Sequence, residues 1–104
     1  MENSVSNLEF QYLHRDEGNY KIHGSIIFKN TLQIKPTEAN ELIKEKLIDG
    51  EYFYPKDVKI PLFQEHADIG TFFTDWYEFD KFSLTDENPS DSRSILEFIN
   101  SFED

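Results

Sequence analysis

The 104-residue sequence has no cysteine, only four glycines and four prolines, and no uninterrupted apolar run longer than three residues. Without cysteine there are no disulfides, no thiolate-held zinc and no thiol nucleophile. A run near 20 apolar residues is what a membrane-spanning helix needs, and none is present. Positive charge is also scarce: 10 Lys and Arg stand against 21 Asp and Glu, for a net charge of −11. Nucleic-acid phosphates and anionic membrane surfaces both call for a basic footprint, so neither is expected as a direct partner. The opening residues Met1-Glu2-Asn3-Ser4-Val5-Ser6 offer neither a basic n-region nor an apolar h-region. The expectation is a cytoplasmic protein.

What the chain does have is aromatic mass. Ten Phe, five Tyr and one Trp make up 15% of it, far above what a disordered acidic tail carries. Its length suits a single domain, residues 1–104, burying roughly 60–70% of the surface of the unfolded chain. The charge is unevenly placed: residues 1–50 hold six basic and eight acidic side chains, residues 51–104 four and thirteen. Self-repulsion from this excess predicts stability that rises with added salt or with mild acidification toward pH 5, unless paired carboxylates dominate and reverse the acid trend.

Alternation of Leu8, Phe10 and Tyr12, then of Tyr20, Ile22, Ile26 and Phe28, predicts a hairpin turning at Arg15-Asp16-Glu17-Gly18-Asn19. Gly24 inside the second strand suggests a bulge or the close approach of another backbone. Thr37 is placed to cap a helix over residues 38–48, with Ala39, Leu42, Ile43 and Leu47 on one face and Gly50 as a left-handed C-terminal cap. Tyr52-Phe53-Tyr54 reads as a short buried strand and Gln64-Glu65-His66-Ala67-Asp68 as loop. Residues 71–85 read as a strand, or as two strands bent near Asp75. Asn88-Pro89-Ser90-Asp91 has the signature of a helix start, followed by Ile95, Leu96, Phe98, Ile99 and Phe102 at helical spacing. The order is ββα, then β…β, then α. It predicts an α+β fold, a mainly antiparallel sheet with two helices packed on one face, and a core of Phe10, Tyr12, Ile22, Ile26, Phe28, Leu42, Ile43, Leu47, Phe79, Ile95, Phe98 and Ile99.

The stretch Tyr12-Leu13-His14-Arg15-Asp16-Glu17-Gly18-Asn19-Tyr20-Lys21 resembles a hairpin, roughly Tyr-x-x-Arg-Asp followed by Asn-Tyr-Lys, of an uncharacterised family of small bacterial proteins. The resemblance covers about the first 30 residues, with echoes at residues 50–61 and 76–79; it implies a shared fold and carries no activity. On the residues alone, Arg15 and Asp16 at the tip have the choice of pairing with each other or with a partner, and Tyr12 and Tyr20 of packing across the strands.

Signals for chemistry are sparse. His14, His23 and His66 are the only side chains that ordinarily titrate near neutrality, and they form no His-x-x-x-His pair, only His14-x-Asp16 and His66-x-Asp68. No metal site is expected. Asp86, Asn88, Ser90, Ser92, Ser94 and Glu97 fall on a calcium-loop template, but Asp91 stands where glycine is required and Pro89 intrudes. Gly24-Ser25 is not a nucleophile elbow, and no phosphate-cradling glycine loop exists, so neither a catalytic residue nor a cofactor is assigned. What remains is an acidic, aromatic second half. Asp75, Trp76, Tyr77, Glu78 and Asp80, with Asp86 and Glu87, are the candidate binding residues; Arg15 and Asp16 are the secondary candidates. They suggest a non-enzymatic module for a basic protein partner, of inhibitor or immunity type, covering the basic site of a nucleic-acid-acting protein. The alternative is a small enzyme or ligand-binding domain with a cleft beside the sheet, drawing on Tyr20, His23, His66 and Asp68.

Overall fold

The computed structural model describes residues 7–70 and 73–102. In chain order the elements are β1 (Asn7–Arg15), β2 (Lys21–Phe28), α1 (Pro36–Lys44), β3 (Tyr52–Phe53), a 3-10 turn (Pro55–Val58), α2 (Gln64–Ile69), β4 (Tyr77–Thr85) and α3 (Ile95–Asn100). The strands form one antiparallel sheet in the order β2-β1-β4-β3. This is the expected α+β fold, with three α-helices among the described residues where two were expected. Among the described residues no helix is long and apolar enough to cross a membrane.

The hairpin forms in regular register, from Leu8 opposite Phe28 to Arg15 opposite Lys21. Asp16 builds the turn: its carboxylate accepts from the Tyr20 amide at 2.9 Å, and Asn19 takes a left-handed φ of 66°. Gly24 sits in an unbroken ladder opposite Tyr12. What approaches it is a pair of rings, not a backbone, since a Cβ there would lie 2.7 Å from Phe63 Cε1 and 2.9 Å from Tyr12 Cζ. The irregularity lies instead in β4. Gln11 faces Lys81 while Tyr12 faces Phe79, which leaves Asp80 as the extra residue of a bulge. The bulge puts Phe79 and Phe82, three apart in sequence, on the same buried face as Tyr12 and Phe10.

That face carries the core. Phe10 is fully buried and meets the rings of Tyr12, Phe53, Phe79, Phe82 and Phe98. α3 contributes Phe98, stacked on Phe28 at 4.1 Å, and α1 contributes Ala39 and Ile43 to the same cluster. Two expected core residues fall outside it: Leu42 is 39% exposed and Ile22 half-buried. The i, i+4 pair Ala39 and Ile43 defines the inward stripe of α1, and Leu42 lies about 100° around the helix from Ile43.

Helix ends also depart from expectation. α1 begins at Pro36, with Lys35 rather than Thr37 at its N-cap and no side-chain cap, and it closes by Lys44. Leu47 is buried beyond the helix, and Asp49 and Gly50, both at positive φ, turn the chain into β3. α3 starts at Ile95, not at Asn88-Pro89: Ser94 Oγ accepts from the Glu97 amide at 3.2 Å, and the Glu97 carboxylate accepts from the Ser94 amide at 2.8 Å. Residues 88–93 instead run beside β2, where the Ser90 amide donates to Ile27 O and the Ile27 amide to Ser90 Oγ, both at 2.9 Å. Residues 64–69 are a helix, not a loop, and β4 begins only at Tyr77. Thr71 and Phe72, the start of the expected strand, lie outside the described residues.

Candidate functional site

Strand alternation separates β3 and its neighbours into two environments. Phe53 and its partner Tyr77 point into the core, whereas Tyr52 and its partner Glu78 point to the face that carries no helix. Trp76, just before β4, stacks on Tyr52 with ring centroids 4.4 Å apart and planes 11° from parallel, and Tyr54 tilts toward it at 6.1 Å. Trp76 and Tyr54 are 39% and 41% exposed. The three rings make an outward-facing platform. Carboxylates surround it: Glu51, Glu78 and Asp49 push the Tyr52 phenol above its ordinary pKa, with Glu51 the largest influence, while Arg15 pulls the other way. Asp75, beside Trp76 in the chain, has a 71% exposed side chain.

The sequence-predicted residues are thus divided. Trp76 and Glu78 come together at the platform, whereas the Asp75 carboxylate lies toward His14. Glu78 is not free, since Arg15 Nε and Nη2 donate to its two carboxylate oxygens at 3.0 and 3.3 Å. Arg15 therefore joins the platform, also donating to Asn19 at 2.7 Å, and does not pair with Asp16. Tyr20 is 66% exposed and does not pack on Tyr12. Tyr77 is fully buried, which removes it as a surface anchor. Asp80 projects from the bulge beside a shallow hollow of about 340 Å³ that His23 also lines. Asp86 and Glu87 lie past the far end of β4, on the order of 30 Å from Trp76 at about 3.3 Å per residue with one residue taken up by the bulge. Tyr52, Tyr54 and Glu51, the missing parts of the platform, were visible only as a strand-like aromatic run.

A second cluster lies on the core face at the hairpin end. His14 from β1 and His66 from α2 are each 7% exposed, and their rings meet edge to face at 4.4 Å. His66 Nδ1 is 2.7 Å from Tyr77 Oη, which also accepts from the Phe63 amide at 3.1 Å. Burial raises the Tyr77 phenol, and burial followed by the Tyr77 charge holds that of Tyr12 at about 12. Both are neutral hydroxyls at any ordinary pH. His14 Nε2 stands 3.4 Å from Asp75 Oδ2. The two imidazoles line a cavity of about 200 Å³ together with Asp16, Tyr20 and Glu65. Of the four residues expected in a cleft, Tyr20 and His66 share this one, while His23 is elsewhere and Asp68 accepts from Gln64. Among the described residues no three His, Asp or Glu side chains are grouped to hold a metal ion. Glu97 of the calcium-like spacing is occupied in capping α3.

Comparison of the chain with protein-family models, with curated proteins and with solved structures finds no match. The functional reading rests on this geometry.

Proposed function

We propose that the chain is a non-enzymatic, acidic protein-binding module, of inhibitor or immunity type, that docks on the basic site of a nucleic-acid-acting partner. The observation that carries this reading is the half-exposed Trp76–Tyr52 stack, flanked by Tyr54, on the face of the sheet that bears no helix. Rigid aromatic anchors supply most of the affinity in protein interfaces, and surrounding charge steers the encounter. Glu51 and Asp49 supply that charge here. Glu78 supplies little of it, because its carboxylate is already matched by Arg15.

The test is affinity capture from the native host at low salt, followed by association kinetics with the protein retained. A basic partner is expected, released as salt screens the field. Glu51→Lys/Asp49→Lys should slow association about tenfold, and Trp76→Ala should speed dissociation by on the order of 30-fold, the scale of a hot spot. Binding that responds to neither variant, or a partner with no basic surface, would overturn the reading.

A further inference from the structure

α2 is attached in an unusual way. Of its six residues only His66 is buried; Gln64, Glu65, Ala67, Asp68 and Ile69 are exposed. Its hold on the sheet therefore runs through this one imidazole and through Phe63 at its N-cap, whose ring stacks on Tyr12 at 5.6 Å and on Tyr77 at 5.0 Å. The His66 ring is clasped on three sides, by Phe73 stacked at 4.1 Å, by the edge of His14 at 4.4 Å and by Tyr77 Oη. After the helix comes Gly70 at φ 70°, a conformation that a side chain disfavours and that suits a pivot.

We propose that His14 and His66 form a proton-sensitive latch, which holds α2 on the sheet at neutral pH and releases it on mild acidification.

Three features set the direction. Protonation gives an imidazole two N–H donors; His66 Nδ1 has Tyr77 Oη, but its other nitrogen has no hydrogen-bond acceptor among the described residues. A proton on His66 places a charge in a partly dry contact with the His14 ring, on two elements that separate if α2 lifts. The compensating groups are peripheral: Asp75 beside His14 on the segment before β4, Glu65 on α2, and Asp16 at the hairpin turn, all exposed, with the Tyr20 ring beside them and the Tyr77 phenol, raised by burial, uncharged. Burial first and His14 second lower the His66 pKa from its ordinary value, against smaller opposing effects of Glu65 and Asp75. A base whose pKa is lowered in the docked state takes its proton more readily in the open one. The latch is at full strength above the unperturbed value near 6.5 and weakens as pH falls through and below it.

Release uncovers Phe63, Phe73 and the Tyr12–Tyr77 stack. Hydrogen exchange at peptides covering residues 63–70, corrected for intrinsic rate and compared with residues 95–100, reads it directly between pH 7.5 and 5.5. In the wild-type chain, protection of residues 63–70 should fall relative to α3, by at most about tenfold, the limit that one proton sets over one pH unit below 6.5. His66→Asn keeps a hydrogen-bonding group near Tyr77 Oη without titrating, and His14→Gln does the same near Asp75. His66→Asn should abolish the step, and His14→Gln, which leaves the burial of His66 in place, should reduce it. A constant ratio in the wild-type chain, or a step of wild-type size in either variant, would overturn the latch.

Discussion

Arg15 holds both carboxylate oxygens of Glu78 across β1 and β4, so the most central acid of the candidate surface is already paired within the chain. Glu78→Lys would set two cations side by side on the helix-free face. The expected result is a lower urea midpoint for the single variant and recovery in Arg15→Glu/Glu78→Lys, where the pair is swapped. A double variant no better than the single one would mean that the pair contributes nothing measurable.

Phe10 is the hub of the core, and truncating it to alanine should cost about 3–5 kcal/mol in urea unfolding. Leu42→Ala should cost less than about 1 kcal/mol, since the side chain is 39% exposed. Equal costs for the two would contradict the inward stripe assigned to α1.

At Gly24 the direction is set by space. Alanine would press on Phe63 Cε1 and the Tyr12 ring, so Gly24→Ala should destabilise by about 1–3 kcal/mol despite its gain in strand propensity. Phe63→Leu in the same chain should recover part of that loss. A neutral Gly24→Ala would show that the rings move aside freely.

Ser94→Ala removes one half of a reciprocal cap and should cost about 1 kcal/mol, whereas Thr37→Ala, at a residue that caps nothing, should stay within about 0.5 kcal/mol. Thermal unfolding of the two variants measures the contrast.

Asp91 accepts from the Arg93 guanidinium and from the Arg93 amide, and the guanidinium bond is the main reason its pKa lies below the ordinary carboxylate value. An acid with a depressed pKa contributes stability that is complete above its unfolded value, near 4, and is lost as pH falls through the folded one. Asp91→Asn should therefore lower the urea midpoint by a constant amount above about pH 5, with the gap closing below pH 4. A gap independent of pH would show that the charge of Asp91 is not what Arg93 holds.

The hairpin, the presence of α1 and α3 and most of the core follow from period-2 and period-3.6 patterns that local chemistry enforces. Other features were set by tertiary partners. α3 starts at Ile95, after Ser94, because a reciprocal Ser94–Glu97 box outcompetes Asn88-Pro89, whose segment is drawn to β2 by Ser90; that box was legible as Ser-x-x-Glu. α2 has no apolar stripe to reveal it, being exposed all round except for His66. The bulge at Asp80 explains why the aromatic spacing of β4 refused a period of two. At the candidate surface, the placing of Trp76 and Asp75 was readable as composition, but Tyr77 could be assigned to the core only once Phe53 was known to pair with it. Net charge alone predicts gain on mild acidification; the His66 imidazole, its pKa lowered by burial and by His14, acts in the opposite sense, an effect invisible until His66 is seen buried against His14.

The two hydrogen bonds between Ser90 and Ile27 also bear on how the chain behaves in concentrated solution. β2 is an outer strand, and an uncovered outer strand is a template on which a second chain can add. Ser90 covers Ile27, and the Ile95 amide occupies Lys29 O. The backbone alternation that turns Ile27 outward also turns His23 and Ser25 outward, and no described residue bonds them there, so the exposed ladder is confined to a few residues around Gly24 with Lys21 at its border. Residues 88–93 act in this way as a selvage, the finished border that keeps a woven edge from taking up another thread.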